Sequence, residues 1–158
     1  MKDYFYNKVV WVTGASSGIG EALIHKLDEF GAKIILSSRD EAKLNILRDK
    51  LSKPSDHMVV PLDLSKSSDF ESLMTMILDK YKRIDILINN GGRSQRATVS
   101  ETLIEVDREI MEVNYFGNIA LTKTVLPIFK SQKSGQILVV SSIAGKFGFY
   151  LRSAYSAS

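Results

Sequence analysis

The sequence contains no cysteine, which excludes a disulfide framework and a thiolate metal site and is compatible with a reducing compartment. It has two histidines, His25 in a predicted helix and His57 at the start of a predicted strand. They share no ligand spacing, so surface or packing roles are expected and no metal. No stretch approaches the roughly 20 apolar residues that cross a bilayer. The opening Met1 to Asn7 lacks the apolar core of a signal peptide. The expectation is a cytoplasmic protein without a membrane segment. Charge of one sign never accumulates: 21 basic and 18 acidic residues are interspersed to a net +3, with no basic stripe for nucleic acid. Internal repeats, low-complexity tracts and interdomain linkers are lacking too. What is present is 44% apolar side chains over 158 residues, enough for one domain, residues 1–158, with a buried core.

Short β-branched runs alternate with amphipathic stretches. Val9 to Thr13, Lys33 to Ser37, Met58 to Leu62, Ile84 to Asn89 and Gly135 to Ser141 are predicted strands. Ile34-Ile35-Leu36, Ile86-Leu87-Ile88 and Ile137-Leu138-Val139-Val140 are apolar on both faces, as strands covered above and below by helices must be. Between them, Gly18 to Phe30, Asp40 to Leu51, Ser68 to Tyr81 and Thr102 to Lys130 carry apolar residues at helical spacing. Gly31 stops the first of these helices, and Ser65 or Ser67 is available to cap the third. The last stretch is too long for one plain helix, and Asn114 and Gly117 mark a bend between two joined helices. This rhythm predicts an α/β fold, a doubly wound parallel sheet of the Rossmann type with right-handed crossovers.

Thr13-Gly14-Ala15-Ser16-Ser17-Gly18-Ile19-Gly20 leads from the first strand into the first helix. Such a turn suits a diphosphate. Gly14 permits the tight turn, Gly18 lets the backbone approach the phosphates and Gly20 lets helix and strand pack, while the helix start offers free N–H groups and a positive dipole end. The candidate cofactor residues here are Thr13, Gly14, Ser16, Ser17, Gly18, Ile19 and Gly20. A P-loop is excluded because no Gly-Lys-Ser/Thr follows. At the end of the second strand, a carboxylate would bind the ribose hydroxyls of NAD, whereas an arginine would receive the 2′-phosphate of NADP. The chain has Ser38 at that position and Arg39 beside it, so NADP(H) is expected rather than NAD.

The glycine spacing, Gly-x-x-x-Gly-x-Gly after a threonine, resembles that of the short-chain dehydrogenases/reductases. The resemblance runs from Lys8 to Ser158 and includes Asn89-Asn90-Gly91-Gly92 and Ser141-Ser142-Ile143-Ala144-Gly145. It implies that Asp63 and Leu64 contact the adenine, with a helix cap as the plain alternative for Asp63. It also implies that Asn90, Gly91 and Gly92 line the cofactor. Gly91 stands where the family has alanine, which keeps a small residue at a close approach. Asp85, just before the fourth strand, is expected to be a structural hydrogen-bonding residue.

Reducing a carbonyl needs a hydride donor on one face and, at the oxygen, a proton donor that the protein must supply. Ser142 ends the fifth strand and Tyr155 follows thirteen residues later, a spacing that matches the family's catalytic pair. Asn114 matches the third member. The resemblance implies that Tyr155 is the general acid in reduction and base in oxidation, that Ser142 hydrogen-bonds the substrate oxygen and that Asn114 holds a relay water. The family's fourth member, a lysine one helical turn after the tyrosine, would fall just beyond Ser158. The expectation is a C-terminally truncated chain, inactive as written, from a parent of about 250 residues or more. Its C-terminal strands would be missing and its apolar fifth strand would be an aggregation-prone edge.

Val10-Trp11-Val12 and Asn89 to Arg96 resemble the dehydrogenase/reductase member 7 group, with the hydroxysteroid dehydrogenases nearby. That resemblance implies a small, lipophilic carbonyl or secondary alcohol as partner; with the NADP expected from Arg39 the reading is an NADP-dependent oxidoreductase, and the wider family implies a homodimeric or homotetrameric parent. Phe147, Phe149, Tyr150 and Leu151 are candidates for an apolar pocket wall. Two other functions use related folds. A non-catalytic dinucleotide-binding regulatory module needs the glycine loop but not Ser142, Tyr155 and Asn114. A dehydratase or epimerase would carry Thr-Gly-x-x-Gly-x-x-Gly, which is not the spacing here.

Overall fold

A computed structural model describes residues 2–158. Five strands form one parallel sheet in the order β3-β2-β1-β4-β5. They are β1 Val9–Thr13, β2 Lys33–Ser37, β3 Met58–Val59, β4 Ile86–Asn89 and β5 Gln136–Val139. The helices are α1 Lys2–Phe5, α2 Gly18–Glu29, α3 Glu41–Asp49, α4 Phe70–Tyr81, α5 Ile104–Met111, α6 Asn118–Gln132 and α7 Ser153–Ala157. No helix of the described residues is long and apolar enough to cross a membrane.

The sequence pattern of β1 explains why it is central. All five of its residues are buried, and because side chains alternate across a strand they feed two separate cores. Val9 and Trp11 pack with Phe70, Met74 and Ile77 of α4 and with Leu121 and Val125 of α6. Val10 and Val12 pack with Ile24 and Leu27 of α2 and with Leu44 and Leu47 of α3. Each such side chain contributes about 1.5–3 kcal/mol when fully buried. The parallel register sets Val10 beside Ile34 and Ile86, which closes the lower layer across three strands. Trp11 is wholly buried and still satisfies its indole, whose N–H donates to the Ser37 hydroxyl at 2.8 Å. Asp85 has the structural role expected of it: its Oδ2 accepts from the Val9 N–H at 2.8 Å. At the other side of the sheet β5 is an edge, with Leu138 46% and Val139 67% exposed.

Two local expectations need correction, and a third is met in a specific form. The third strand is regular only over Met58–Val59, short of the Met58 to Leu62 expected, with Pro61 on the unpaired edge beyond it. Val60 and Leu62 nevertheless donate to the carbonyls of Leu36 and Ser38 at 3.0 Å, so the chain stays extended toward the site. Neither Ser65 nor Ser67 caps the third crossover helix. Ser65 is captured by Asp63, and α4 is entered through a 3-10 turn, Ser67–Asp69, without a side-chain cap bond. The stretch from Thr102 does split in two, but as a continuous path: a π-helical segment, Glu112–Gly117, joins α5 to α6. Gly117 is required there, since a Cβ would lie 2.1 Å from the Leu64 carbonyl oxygen.

His57 has a packing role. Its Nδ1 accepts from the Ile34 N–H at 3.1 Å, which leaves the proton on Nε2, 3.2 Å from Asp28 Oδ1. Burial pushes the His57 imidazole below its ordinary range, although Asp28 and Asp56 pull the other way. The unfolded chain therefore takes up the proton first, at about pH 6.5, and the stability from neutral His57 is present above that value and lost as pH falls below it. We expect the urea midpoint to drop between pH 7.5 and 5.5. His57→Gln should flatten that dependence and lower stability at pH 7.5 by about 1–3 kcal/mol, the cost of an orphaned Ile34 N–H. An equally steep decline in the variant would contradict this assignment.

Candidate active site

A cleft of about 530 Å³ opens at the C-terminal ends of β1, β2 and β4, where a doubly wound sheet reverses its strand order. Thr13, Gly14, Ser16, Ser17, Ile19, Ser38, Arg39, Asp63, Leu64, Asn90, Gly91 and Gly92 all line it. Of the cofactor residues expected from sequence, only Gly18 and Gly20 are not in its wall. Their roles are geometric. Gly18 has φ 56°, a left-handed conformation, and a Cβ there would meet nothing within 4 Å. At Gly20 a Cβ would lie 2.1 Å from the Gly14 carbonyl oxygen, so bare backbone is what lets the helix settle onto the turn.

The start of α2 supplies donors. Its first three N–H groups, at Gly18, Ile19 and Gly20, precede any intrahelical acceptor. Ser17 occupies the cap position in extended conformation yet makes no capping bond, and it faces the cleft. A helix entrance left with unsatisfied donors and a glycine without a neighbour fits a diphosphate.

Thr13 and Asn90 hold this shape by binding each other's loops. The Thr13 hydroxyl accepts from the N–H groups of Asn90 at 3.0 Å and Gly91 at 2.8 Å. The Asn90 amide donates to the carbonyls of Thr13 at 3.1 Å and Gly14 at 3.2 Å. At Gly91 a Cβ would approach Leu64 Cδ1 to 2.8 Å, so the family's alanine would require Leu64 to turn aside. Asp63 is neither a cap nor free: it accepts from the N–H and hydroxyl of Ser65 at 3.0 and 2.7 Å. Burial raises its pKa, but those bonds and the Arg39 charge outweigh it and hold the carboxyl below its ordinary range. Asp40 accepts from the Lys43 N–H at 3.0 Å as the cap of α3. Arg39 has no ion-pair partner among the described residues.

A second cleft of about 520 Å³ contains Ser142 and Tyr155 together with Phe149, Tyr150, Arg96 and Arg152. Phe147 and Leu151, also expected in an apolar wall, do not line it. Ser142 caps the turn Ile143–Gly145, where its Oγ accepts from the Ala144 N–H at 3.2 Å. Tyr155 lies in α7. Asn114 stands in the π-helical segment behind the chain that runs from one cleft to the other. Its Oδ1 accepts from the Arg93 N–H at 2.8 Å, and its amide donates to the Arg93 carbonyl at 2.9 Å and the Ser158 hydroxyl at 2.8 Å. Sequence reasoning missed Gln95 and Arg152; Gln95 meets Arg152 and Tyr155 only through contacts 57 and 60 positions long, which leave no periodic trace.

A family model, "short chain dehydrogenase", matches residues 8–158. The chain belongs to the short-chain dehydrogenase family. It is 45% identical over 155 residues to mouse dehydrogenase/reductase SDR family member 7, covering 95% of this chain and 46% of that protein. Against the Drosophila melanogaster dehydrogenase/reductase SDR family protein 7-like it is 45% identical, covering 96% of this chain and 48% of the relative. Among solved structures, a short-chain dehydrogenase from Streptomyces avermitilis superposes with TM-score 0.89 at 33% identity over 96% of this chain and 55% of that one. Levodione reductase superposes with TM-score 0.90 at 25% identity, covering 97% of this chain and 61% of that one. The chain spans about half the length of the curated relatives it matches. Short-chain dehydrogenases are oxidoreductases that use a nicotinamide cofactor, and the donor-rich turn at Gly14 to Gly20 fits one.

Proposed function

We propose that this protein is an NADP-dependent oxidoreductase acting between a lipophilic carbonyl compound and its secondary alcohol. The observation that carries the reading is spatial. Gly92 and Arg93 line the cleft over the glycine turn, and Ser94 and Arg96 line the cleft of Ser142 and Tyr155, so one short segment connects the two. A dinucleotide laid along it would have its phosphates at Ser17 to Gly20 and its reactive end toward Tyr155.

A nicotinamide bound there would supply or accept the hydride. Tyr155 exchanges the proton at the substrate oxygen. Ser142 holds that oxygen: because its own Oγ already accepts from Ala144, its hydrogen is left to donate outward. Asn114 keeps the segment at Arg93 in place and is the natural anchor for a relay water. Phe149 and Tyr150, 47% and 84% exposed, offer the apolar surface that a lipophilic substrate would cover.

Arg39 supports NADP over NAD. It faces the first cleft, while the two carboxylates nearest it in the wall are engaged, Asp40 with Lys43 and Asp63 with Ser65. A charge-assisted bond to the 2′-phosphate is worth about 1.5–3 kcal/mol. Arg39→Ala should therefore raise the Kd for NADPH by about 10- to 100-fold and change that for NADH less than about threefold. Calorimetric titration of the natural full-length protein tests this, and tighter binding of NADH than NADPH by the unmodified protein would overturn it.

A further inference from the structure

Tyr155 lies in α7, whose start has no side-chain cap bond to fix it. Its support comes from Arg152, three positions before it, and from Gln95, 60 positions away. The Arg152 guanidinium lies 5.9 Å from the centroid of the Tyr155 ring, within cation–π range. Its Nη1 donates to the Gln95 carbonyl at 2.8 Å and also to the Ser94 hydroxyl. Gln95 completes the grip: Oε1 accepts from the Tyr155 N–H at 3.3 Å, and Nε2 donates to the Ser153 hydroxyl at 3.2 Å. Ring and backbone of the tyrosine are thus held by Arg152, which lines the second cleft, and by Gln95, in the segment that connects the two clefts.

We propose that Arg152 and Gln95 are positioning residues that strap Tyr155 to the segment at Ser94 and Gln95 and aim its phenol into the cleft beside Ser142. This rests on the reading of Tyr155 as proton donor. The guanidinium is the better strap than an ammonium would be, because its planar fork can lie on the ring and reach two acceptors at once. A misplaced reacting group costs up to about 100-fold in rate, so the strap's effect belongs in kcat.

The test uses the natural full-length protein, NADPH and the best-reduced member of a panel of alkyl, aryl and steroidal ketones. Arg152→Met should lower kcat by about 10- to 100-fold with KM and the NADPH Kd within about threefold. Arg152→Lys should recover part of that loss, and Gln95→Ala should reproduce it in weaker form. The decisive arm is non-additivity: in a Tyr155→Phe background, Arg152→Met should have almost no further effect, whereas an independent structural role adds in full. If Arg152→Met does not fold, Arg152→Lys and Gln95→Ala carry the same comparison. Unchanged kcat, a rise confined to KM, or full additivity would overturn the strap. Failure of Tyr155→Phe itself to slow turnover would instead remove the reading beneath it.

Discussion

Gly18→Ala is expected to lower the affinity for NADPH by about 10- to 100-fold while leaving the protein folded. The backbone at Gly18 is left-handed, φ 56°, so an alanine is strained by about 1–2 kcal/mol. The new methyl meets no protein atom within 4 Å, so nothing in the fold has to move. What it does occupy is the open side of a helix entrance whose first N–H groups have no acceptor among the described residues. Gly20→Ala is the opposite case: its Cβ would lie 2.1 Å from the Gly14 carbonyl oxygen, and relief requires backbone movement. That variant should lose more than about 4 kcal/mol of stability. Thermal unfolding and NADPH titration of the two proteins separate the effects, and a Gly18→Ala protein that binds NADPH normally would show that the diphosphate lies elsewhere.

Tyr155→Phe is expected to cut kcat on the natural full-length protein by about 100- to 10,000-fold, the range for removing a general acid. The ring survives the substitution, so its packing beneath Arg152 and the Gln95 bond to the Tyr155 N–H are retained. NADPH affinity and thermal midpoint should therefore stay close to the parent values. Steady-state reduction of a ketone panel checks this, and a variant keeping more than half of the parent kcat would remove Tyr155 from the chemistry.

The parts of this architecture written in local pattern are legible in the sequence. The continuous apolar runs of Val9 to Val12, Ile34 to Leu36 and Ile86 to Ile88 specify strands buried on both faces, as a parallel sheet covered by helices requires. The glycine turn is legible because steric demands act on single residues. Asn114 and Gly117 signal an interruption, but not that it is π-helical or that Leu64, from another part of the chain, packs against Gly117. Ser65 looks like a helix cap until Asp63 is seen to take its hydroxyl. Thr13 and Asn90 have the same ambiguity: their polar atoms fit a cofactor in sequence and each other's loops in space. The strap through Arg152 and Gln95 is invisible in one dimension because its bonds span 57 to 60 positions.

On the function proposed, a pyridine dinucleotide is held at the turn between β1 and α2 with its reactive end near Tyr155. Titrating the natural full-length protein with NADPH and NADH in a calorimeter tests it most directly. One saturable site per chain, tighter for NADPH and weakened by Gly18→Ala, is the expected result. No heat of binding for either nucleotide from a protein shown to be folded would contradict it.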